Sequence, residues 1–273
     1  MSSLQHHPSK KLGQNFLTDQ NIIQRIVRSL NPASNETIVE IGPGLGALTF
    51  ELVKKAGRVI AVEFDRNLAP ILRENLSSSA NFSLIEADAL VVDLCAEIKP
   101  ATSARLVANL PYNISTAILQ RLIEQRSCLG GMVVMLQREV VERITAPAGS
   151  SDRGYLSVLV EAYCEAEKLF DVHPGAFRPS PKVWSTVVRL VPWPQIAVAV
   201  KDEKLLWRIV SAGFAQRRKT IFNNLRSAPE PLQDLIRRNG GASIVLCRAD
   251  VDLQRRAETL TLEEWGRLAR TLE

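Results

Sequence analysis

Short runs of β-branched and other apolar residues alternate along the chain with stretches in which apolar residues recur every three or four positions. The short runs predict buried strands, and the periodic stretches between them predict helices. Strands are predicted at Thr37–Ile41, Arg58–Glu63, Phe82–Ile85, Arg105–Ala108 and Met132–Leu136. This alternation is typical of an α/β fold, in which a parallel sheet carries helices on both faces. Ligands of such folds bind beyond the carboxyl ends of the strands, so candidate functional residues are sought there.

The pattern continues with one helical stretch, two further strands and then a helical region. The apolar face of the helical stretch is formed by Leu156, Leu159, Val160 and Tyr163. The two strands are predicted at Glu167–Val172 and Val183–Val191. Pro192 and Pro194 end this pattern, and beyond them a buried helical face is formed by Leu205, Leu206, Ile209, Val210 and Phe214. We therefore place a domain boundary near Pro194, with residues 1–194 in a first domain and residues 195–273 in a smaller helical one.

Composition adds little to this picture. The chain has 273 residues, of which 46% are hydrophobic, and this is enough for one full core and a smaller second one. The formal net charge is +5, and most of the excess lies in residues 195–273. Such a basic bias is compatible with a phosphate-bearing partner, although ordinary solvated surfaces show as much.

The cysteines and the N-terminus indicate an intracellular protein. Cys95, Cys128, Cys164 and Cys247 lie far apart and match neither a zinc spacing nor a disulfide framework, so we expect four reduced thiols. The first residues, which include His6, His7, Lys10 and Lys11, contain no apolar signal core, and no later run is apolar enough to span a membrane. We expect a soluble, cytoplasmic protein with no membrane partner.

The first predicted strand runs directly into a glycine-rich turn, Gly42-Pro43-Gly44-Leu45-Gly46. Glycine lets the backbone turn tightly and approach a ligand with no Cβ in the way. The spacing differs from the G-x-G-x-x-G dinucleotide fingerprint, and Ala47-Leu48-Thr49 then opens a helix. The turn predicts a cofactor loop in which Gly42 and Gly44 approach the ligand.

Acidic residues follow the next two strands. Glu63 ends the second strand, where a carboxylate can accept both hydroxyls of a ribose, and Asp88 follows the third, where it can accept the amino group of an adenine. Taken alone, Glu63 could be a solvated carboxylate and Asp88 a helix N-cap. Together with the glycine turn they indicate a nucleoside cofactor. NAD and S-adenosylmethionine share the adenosine half, so these residues do not distinguish them.

The run Asn109-Leu110-Pro111-Tyr112 follows the fourth strand. The exocyclic nitrogen of adenine is a poor nucleophile because its lone pair is delocalised into the ring. The Asn109 side-chain oxygen and a backbone carbonyl of Leu110 or Pro111 can accept its two hydrogens and stabilise the developing positive charge. Tyr112 offers a flat face to a base removed from its stack. The run thus predicts methyl transfer to adenine, with a turn of purely local hydrogen bonds as the alternative.

Covalent and metal-assisted mechanisms are disfavoured by the same sequence. No cysteine lies near these loops, and the histidines His6, His7 and His173 form no metal-binding pattern with carboxylates. We therefore expect no bound metal.

Five motifs, in order along the chain, resemble those of the ribosomal RNA adenine dimethyltransferase family. They are Lys11–Leu17, Glu40–Thr49, Asn109–Tyr112, Phe177–Val183 and Gln216–Thr220. The resemblance spans nearly the whole chain. It implies a Rossmann-like, S-adenosylmethionine-dependent methyltransferase sheet of seven strands, mostly parallel with the last strand antiparallel. A smaller C-terminal helical domain is also implied.

The resemblance also implies roles for individual residues. Those that would bind S-adenosyl-L-methionine are Asn15, Leu17, Gly42, Gly44, Glu63, Asp88 and Asn109. Of these, Asn15 and Leu17 would close over the cofactor, and Asn109 would bridge the cofactor and the target base. The catalytic set would consist of Asn109, Leu110, Pro111, Tyr112 and Phe177. Phe177 would border the target pocket opposite Tyr112.

The implied substrate is small-subunit rRNA in an assembling ribosomal particle. Family members dimethylate two adjacent adenosines in the hairpin near the 3′ end of 16S rRNA. Related Erm-type enzymes modify large-subunit rRNA instead, but Gly13-Gln14 and Arg217-Arg218-Lys219 resemble the small-subunit branch more closely. We expect a monomer that binds this RNA and flips the target base.

The same cluster, Arg217, Arg218 and Lys219, carries the prediction of RNA binding. On a helix ending near Asn223, the apolar residues Phe214, Ile221 and Leu225 share a face. Arg217 and Arg218 would flank that face while Lys219 points away. A solvated helix face is the alternative, but the basic domain and the resemblance favour contacts with RNA phosphates.

Two residues depart from the family pattern, and two other functions remain as alternatives. Trp184 stands where family members usually carry a small or acidic residue, and Leu12 replaces a common Phe. The chain could instead be an RNA-binding assembly factor without catalysis, against which the intact run Asn109–Tyr112 argues, or a nicotinamide dehydrogenase.

Overall fold

The computed structural model describes residues 14–273. The predictions that concern the first histidines and Lys11–Gly13, with the departure at Leu12, lie outside the described residues. The chain forms two compact units. The first comprises the described residues up to Val141 together with Glu165–Pro192, and the second comprises Glu142–Cys164 and Trp193–Glu273.

Strands and helices alternate through the first part of the chain, and helices alone follow in the last part. The strands are β1 (Phe16–Leu17), β2 (Thr37–Ile41), β3 (Arg58–Glu63), β4 (Phe82–Glu86), β5 (Ala104–Asn109), β6 (Leu129–Gln137), β7 (Cys164–Val172), β8 (Phe177–Arg178) and β9 (Ser185–Pro192). The helices are α1 (Gln20–Leu30), α2 (Thr49–Leu52), α3 (Ala69–Asn75), α4 (Leu94–Glu97), α5 (Ser115–Glu124), α6 (Arg138–Ile144), α7 (Tyr155–Tyr163), α8 (Glu203–Gly213), α9 (Ile221–Arg226), α10 (Leu232–Arg238), α11 (Ala242–Arg248) and α12 (Leu262–Leu272).

The first unit is built on a seven-stranded sheet with the order β4-β3-β2-β5-β6-β9-β7. Parallel pairing joins β4 to β3, β3 to β2, β2 to β5 and β5 to β6, whereas β9 is antiparallel to β6. The strand order reverses at β2 and β5, and such a switch point opens a crevice beyond the carboxyl ends of the strands. The predicted mostly parallel sheet with an antiparallel last strand is confirmed.

Helix α1 shows why the predicted elements form. The Asp19 carboxylate accepts hydrogen bonds from the N–H groups of Asn21 and Ile22, which begins the helix, and Asn31 ends it with a φ of +49°. Its apolar residues lie on one face and are buried in the core that also contains Val107 and Met135 of the sheet. Burial of each large aliphatic side chain there contributes about 1.5–3 kcal/mol.

A short two-stranded sheet anchors the N-terminal segment of the first unit. Strand β1 pairs antiparallel with β8, so that Phe16 lies opposite Arg178 and Leu17 opposite Phe177. The N–H of Thr18 also donates to the carbonyl of Ala176 at 2.8 Å. Residues far apart in sequence are thereby joined next to the sheet.

The second unit is helical, and its core surrounds Trp265 of α12. Helix α12 begins with a capping box, in which the Thr261 hydroxyl accepts from the Glu264 N–H and the Glu264 carboxylate accepts from the Thr261 N–H. Trp265 is fully buried, and its ring lies so close to Gly213 of α8 that a Cβ there would collide with it. The smaller helical unit expected from the sequence is present.

The division of the chain differs from the expected boundary in one respect. Residues 142–164, expected in the first domain, belong to the second unit. The reason is local bonding: the Trp207 indole N–H donates to the Tyr163 hydroxyl at 2.8 Å, and the Gly149 N–H donates to the Glu258 carbonyl at 2.8 Å. These partners lie beyond residue 194, where the sequence pattern gives no sign of them.

The helix predicted to carry the basic cluster is interrupted. Helix α8 ends at Gly213 and α9 begins at Ile221, so Arg217, Arg218 and Lys219 lie in the connecting loop. The Thr220 hydroxyl accepts from the Asn223 N–H and starts a new helix, while the Asn224 amide donates to the carbonyls of Gly213 and Gln216. The prediction that these three cations occupy one helix is therefore wrong.

The expectation of four reduced cysteines is also wrong. Cys95 on α4 and Cys128, directly before β6, form a disulfide with 5.5 Å between their Cα atoms. The fold brings them together because the Gln125 side-chain oxygen accepts a hydrogen bond from the Leu94 N–H at 2.7 Å. Cys164 and Cys247 lie outside this pair.

Among the helices of residues 14–273, none combines the length and the apolar character that crossing a bilayer requires.

Candidate functional site

A cavity with a volume of about 590 Å³ lies at the carboxyl ends of the parallel strands of the first unit. Its walls come from the N-terminal segment, the glycine-rich turn after β2 and the segments after β3, β4 and β5. The predicted site residues that line it are Asn15, Leu17, Gly42, Gly44, Glu63, Asp88, Asn109, Leu110, Pro111 and Tyr112. The fold thus brings the predicted cofactor residues and most of the predicted catalytic residues to one cavity.

The glycine-rich turn forms part of the cavity wall. Gly42 has a φ of +67° and Gly44 a φ of +59°, conformations that favour glycine. The N–H of Gly42 donates to the Val62 carbonyl at 2.9 Å, which fixes the turn against β3. A Cβ at Gly44 would lie 3.0 Å from the ring of Phe16, so the N-terminal segment approaches the turn closely only because glycine stands there.

The Glu63 carboxylate is held rigidly by two backbone donors. Its Oε2 accepts from the Gly44 N–H at 3.0 Å, and its Oε1 accepts from the Asp65 N–H at 2.9 Å. Burial raises the pKa of Glu63, although these hydrogen bonds act in the opposite direction. Each oxygen keeps a lone pair, so the oriented carboxylate can accept the two hydroxyls of a ribose.

Neighbouring residues link this carboxylate to the N-terminal segment. The Gln14 amide donates to Asp65 Oδ2 at 2.8 Å, and Asp65 Oδ1 accepts from Asn67. Beside them, Phe64 lines the cavity with a side chain that is 60% exposed. Sequence reasoning did not select Gln14, Phe64 or Asp65 as lining residues, although an aromatic directly after a strand-end acid was a usable signal.

Asp88 lies on the wall after β4. One of its oxygens, Oδ1, accepts from the N–H of Leu90 at 2.9 Å. This bond orients the carboxylate of Asp88, which lines the cavity together with Ala89 and Leu90. Oδ2 can accept from an amino group such as that of adenine.

The cavity contains a buried acid that the sequence interpretation missed. Glu40 in β2 is 2% exposed, and its Oε2 has no hydrogen-bond partner. Burial raises the pKa of Glu40 to about 8. The Thr49 side chain acts to lower this pKa, whereas the charge of Glu63 acts to raise it. A buried carboxylate oxygen without a partner calls for a donor or cation from a ligand. The available signal was an acid inside an otherwise apolar strand.

These features fit S-adenosylmethionine. The adenosine half matches the acceptors on Glu63 and Asp88, the glycine turn permits close approach of a ligand, and the unpartnered Oε2 of Glu40 is complementary to the ammonium group of the amino-acid half. A dinucleotide would share the first two of these matches but not the third, because it carries no ammonium group.

Asn109 at the end of β5 is oriented by the N-terminal segment. Its Nδ2 donates to the backbone oxygen of Asn15 at 3.2 Å. Because the amide nitrogen is used in this bond, Oδ1 is the atom available to accept from a ligand. The Pro111 carbonyl accepts from the Ile114 N–H at 3.2 Å, which fixes the turn that follows.

Tyr112 is held at the other side of the same turn. Its hydroxyl forms a hydrogen bond of 2.6 Å with the Ser185 hydroxyl at the start of β9. Partial burial raises the pKa of Tyr112, so the phenol stays protonated at neutral pH. The ring borders the cavity and is prevented from turning freely.

Phe177 is not placed with these residues. Its side chain is 0% exposed, belongs to the hydrophobic core and does not line the cavity. Phe177 lies in β8, which pairs with β1, and its ring packs in the hydrophobic core instead of bordering the cavity opposite Tyr112.

The basic cluster lies in the second unit. Arg217, Arg218 and Lys219 are exposed, and the Arg217 guanidinium donates to the Ser151 carbonyl. Within residues 14–273, no group of three or more His, Cys, Asp or Glu side chains is arranged to hold a metal ion.

Comparisons with known proteins identify similar chains. The model of the ribosomal RNA adenine dimethylase family matches residues 5–266. The ribosomal RNA small subunit methyltransferase A of Hahella chejuensis is 47% identical over 266 residues, covering 97% of this chain and 92% of that protein.

Solved structures share the fold. A dimethyladenosine transferase from Plasmodium falciparum superposes with a TM-score of 0.77 at 24% identity, covering 93% of this chain and 95% of that one. The 23S rRNA methyltransferase ErmE gives a TM-score of 0.68 at 27% identity, covering 94% of this chain and 99% of that one.

Proposed function

Since the chain belongs to the ribosomal RNA adenine dimethylase family, we propose that it dimethylates two adjacent adenosines in the 3′-terminal hairpin of small-subunit rRNA during ribosome assembly. It is an S-adenosylmethionine-dependent rRNA adenine dimethyltransferase. The observation that carries the proposal is the free Oδ1 of Asn109, oriented by Asn15 in the same cavity as Glu63 and Asp88.

S-adenosylmethionine, when bound, supplies an electrophilic methyl group. Glu63 would accept hydrogen bonds from the ribose hydroxyls and Asp88 from the amino group of the cofactor's adenine, and the backbone at Gly42 and Gly44 would allow close approach. Glu40 receives the ammonium group, which matches its unpartnered oxygen. Asn15 and Leu17 lie in the segment that lines the cavity together with Asn109, and they would enclose the cofactor there.

The target adenine is held by acceptors rather than by a base. Asn109 Oδ1 accepts one amino hydrogen, and the carbonyl of Leu110 or Pro111 accepts the other. These dipoles stabilise the positive charge that develops on the nitrogen during methyl transfer, and the proton leaves afterwards. Such a role needs no titrating group. Tyr112, fixed by Ser185, gives the flipped base a flat face.

RNA phosphates are bound by the exposed cations of the loop between α8 and α9. Arg217, Arg218 and Lys219 supply affinity that depends on salt, whereas the cavity selects the base. The loop position found here leaves all three side chains exposed. We also place the protein in the cytoplasm, as a monomer acting on the assembling small subunit.

The test uses the purified protein, labelled S-adenosylmethionine and small ribosomal subunits that lack this methylation. The expected product is dimethyladenosine at two adjacent positions near the 3′ end of the small-subunit rRNA, mapped by nuclease digestion and mass spectrometry. Large subunits serve as the matched control. Labelling confined to large-subunit RNA, as the name of ErmE indicates for that protein, would overturn the proposal.

A further inference from the structure

The segment from the last residue of β8 to the residue before β9, residues 178–184, is attached at both ends to residues that line the cavity. We call it the rim loop. At one end Phe177 pairs with Leu17, which lines the cavity. At the other end the Ser185 hydroxyl bonds to that of Tyr112, which also lines it. The rim loop therefore runs beside the cavity on the side of Tyr112.

The charged side chains that the rim loop exposes are both cationic and its exposed aromatic residue is Trp184, while Pro179, Ser180 and Val183 are exposed as well. Arg178, Lys182 and Trp184 are exposed, and no acid occurs between Val172 and Ser185. Asp171 on β7 accepts from the Thr186 hydroxyl at 2.6 Å and lies 3.9 Å from the Arg138 guanidinium, and Glu139, which follows Arg138 in the chain, is exposed. The rim loop thus presents two cations and an exposed aromatic ring, a combination that is complementary to a polyanion carrying flat bases.

Trp184 is held in place while part of its ring remains open to solvent. Its carbonyl accepts from the Arg138 N–H at 3.0 Å, and the His173 ring stands at 89° to the indole with 5.0 Å between centroids. The side chain is nevertheless 43% exposed. A fixed and partly exposed indole is a ready surface for stacking, because little side-chain freedom remains to be lost on binding.

The position of Trp184 indicates which nucleotide it meets. Trp184 does not line the cavity, so it cannot hold the flipped adenine there. Its chain neighbour Ser185 holds Tyr112, the residue proposed to carry that adenine. Because Trp184 and Ser185 are adjacent in the chain, a base stacked on Trp184 would lie close to the target adenine.

We propose that Trp184 is the stacking platform for the nucleotide next to the target adenosine, and that Arg178 and Lys182 contact its flanking phosphates. This inference rests on the proposed function and assigns to the rim loop the recognition of sequence next to the target. An RNA is favoured over an apolar protein partner because cations flank the indole and acids are absent from the loop.

The first test compares Trp184→Ala with Trp184→Phe, using Trp193→Ala as the control for removal of an exposed indole. Trp193 is similarly exposed, and its backbone N–H bond to Tyr163 is retained in that variant. With unmethylated small subunits, Trp184→Ala is expected to raise KM about tenfold, the loss typical of one base–aromatic stack. Turnover at saturating RNA and affinity for S-adenosylhomocysteine stay near wild type, and Trp184→Phe restores most of the KM.

A second test needs no variant. An RNA copy of the 3′-terminal hairpin, with 4-thiouridine next to the target adenosine, is bound to the wild-type protein and irradiated, and the cross-linked peptide is identified by mass spectrometry. A cross-link within the rim loop supports the proposal. A cross-link mapped entirely elsewhere, or a Trp184→Ala KM equal to that of Trp193→Ala, overturns it.

The methyltransferase function and the stacking role of Trp184 can be tested separately. If wild-type protein transfers no methyl group to small-subunit rRNA, the proposed function itself is wrong. If transfer is normal and the Trp184 variants behave as wild type, only the stacking role is lost, and an apolar protein surface becomes the occupant to examine.

Discussion

The side-chain amide of Asn109 donates a hydrogen bond to the backbone oxygen of Asn15 across 3.2 Å. This contact joins the end of β5 to the N-terminal segment and determines which end of the amide faces the cavity. The donor is used internally, and the acceptor is left for the substrate. An acceptor is what an adenine amino group requires, because that group presents only hydrogens.

Replacement of Asn109 by Ala should slow methyl transfer far more than it weakens cofactor binding. Loss of one preorganised dipole at a site of developing charge lowers turnover by about 10²–10³. The measurement is the initial rate of labelled methyl incorporation into unmethylated small subunits, with S-adenosylhomocysteine affinity measured in parallel. Asn75→Ala, at an exposed position on α3, is the matched control. An Asn109→Ala protein that methylates at the wild-type rate would refute the mechanism.

Because Tyr112 and Ser185 share one hydrogen bond, we expect the two single variants and the double variant to lose similar amounts of free energy of unfolding. Tyr112→Phe and Ser185→Ala each remove the same bond. Each should reduce the free energy of unfolding by about 1 kcal/mol, and the double variant should lose little more. Denaturant unfolding of the four proteins measures this coupling. Fully additive losses would show that the two hydroxyls do not interact.

Glu40 predicts a proton release on cofactor binding. Because its pKa is about 8, the carboxyl holds its proton at pH 7 in the protein without ligand. A bound ammonium group favours the carboxylate, so binding of S-adenosylhomocysteine at pH 7 should release close to one proton. The number of protons released is measured by calorimetry in buffers that differ in ionisation enthalpy. Glu40→Gln should abolish the release, whereas Glu74→Gln on the exposed side of α3 should retain it.

The same residue predicts a pH dependence of stability. The folded pKa of Glu40 lies above the ordinary value of 4.5, so the folded state binds the extra proton between these values. Its contribution is therefore complete below pH 4.5 and is lost as pH rises through about 8. The melting temperature of Glu40→Gln should fall less than that of wild type over this range. Equal slopes for the two proteins would contradict the assignment.

The cations between α8 and α9 predict a change in salt dependence. Replacing Arg217, Arg218 and Lys219 by Ala should reduce the slope of log K against log salt by about 2, if each contacts one phosphate. RNA-binding titrations at several salt concentrations give the slope. Arg237 and Arg238, which are paired with Glu230 and Asp234, provide a control double variant of exposed arginines. An unchanged slope would exclude phosphate contacts by the loop.

The sheet and the cavity walls could be predicted from sequence because both follow local rules. Buried parallel strands are continuous apolar runs, and their carboxyl ends meet at one edge. Glu63, Asp88 and Asn109 were selected because each ends or follows a strand, and all three line the cavity. Their proposed roles rest on chemistry and on the family resemblance, which the geometry of the cavity supports.

Features that depend on contacts between distant segments could not be predicted. The pairing of β1 with β8 involves two residues on each side, too few to leave a periodic pattern. Cys95 and Cys128 are 33 residues apart and lie on opposite sides of α5 in the sequence. The break before α9 was missed because the apolar spacing continues across it, although Thr220 is a common N-cap residue.

Strand β9 runs antiparallel to β6, with Ser185 opposite Gln137 at the end of β6. Because β9 is reversed, its beginning rather than its end lies at the edge of the sheet that carries the cavity. The residues just before β9 therefore lie beside the cavity, although they are remote in sequence from the glycine-rich turn. The rim loop can accordingly be exchanged between its two anchors while the register of the sheet is kept. Grafting other sequences between Phe177 and Ser185 is therefore a route to enzymes that methylate adenosines in a different RNA context.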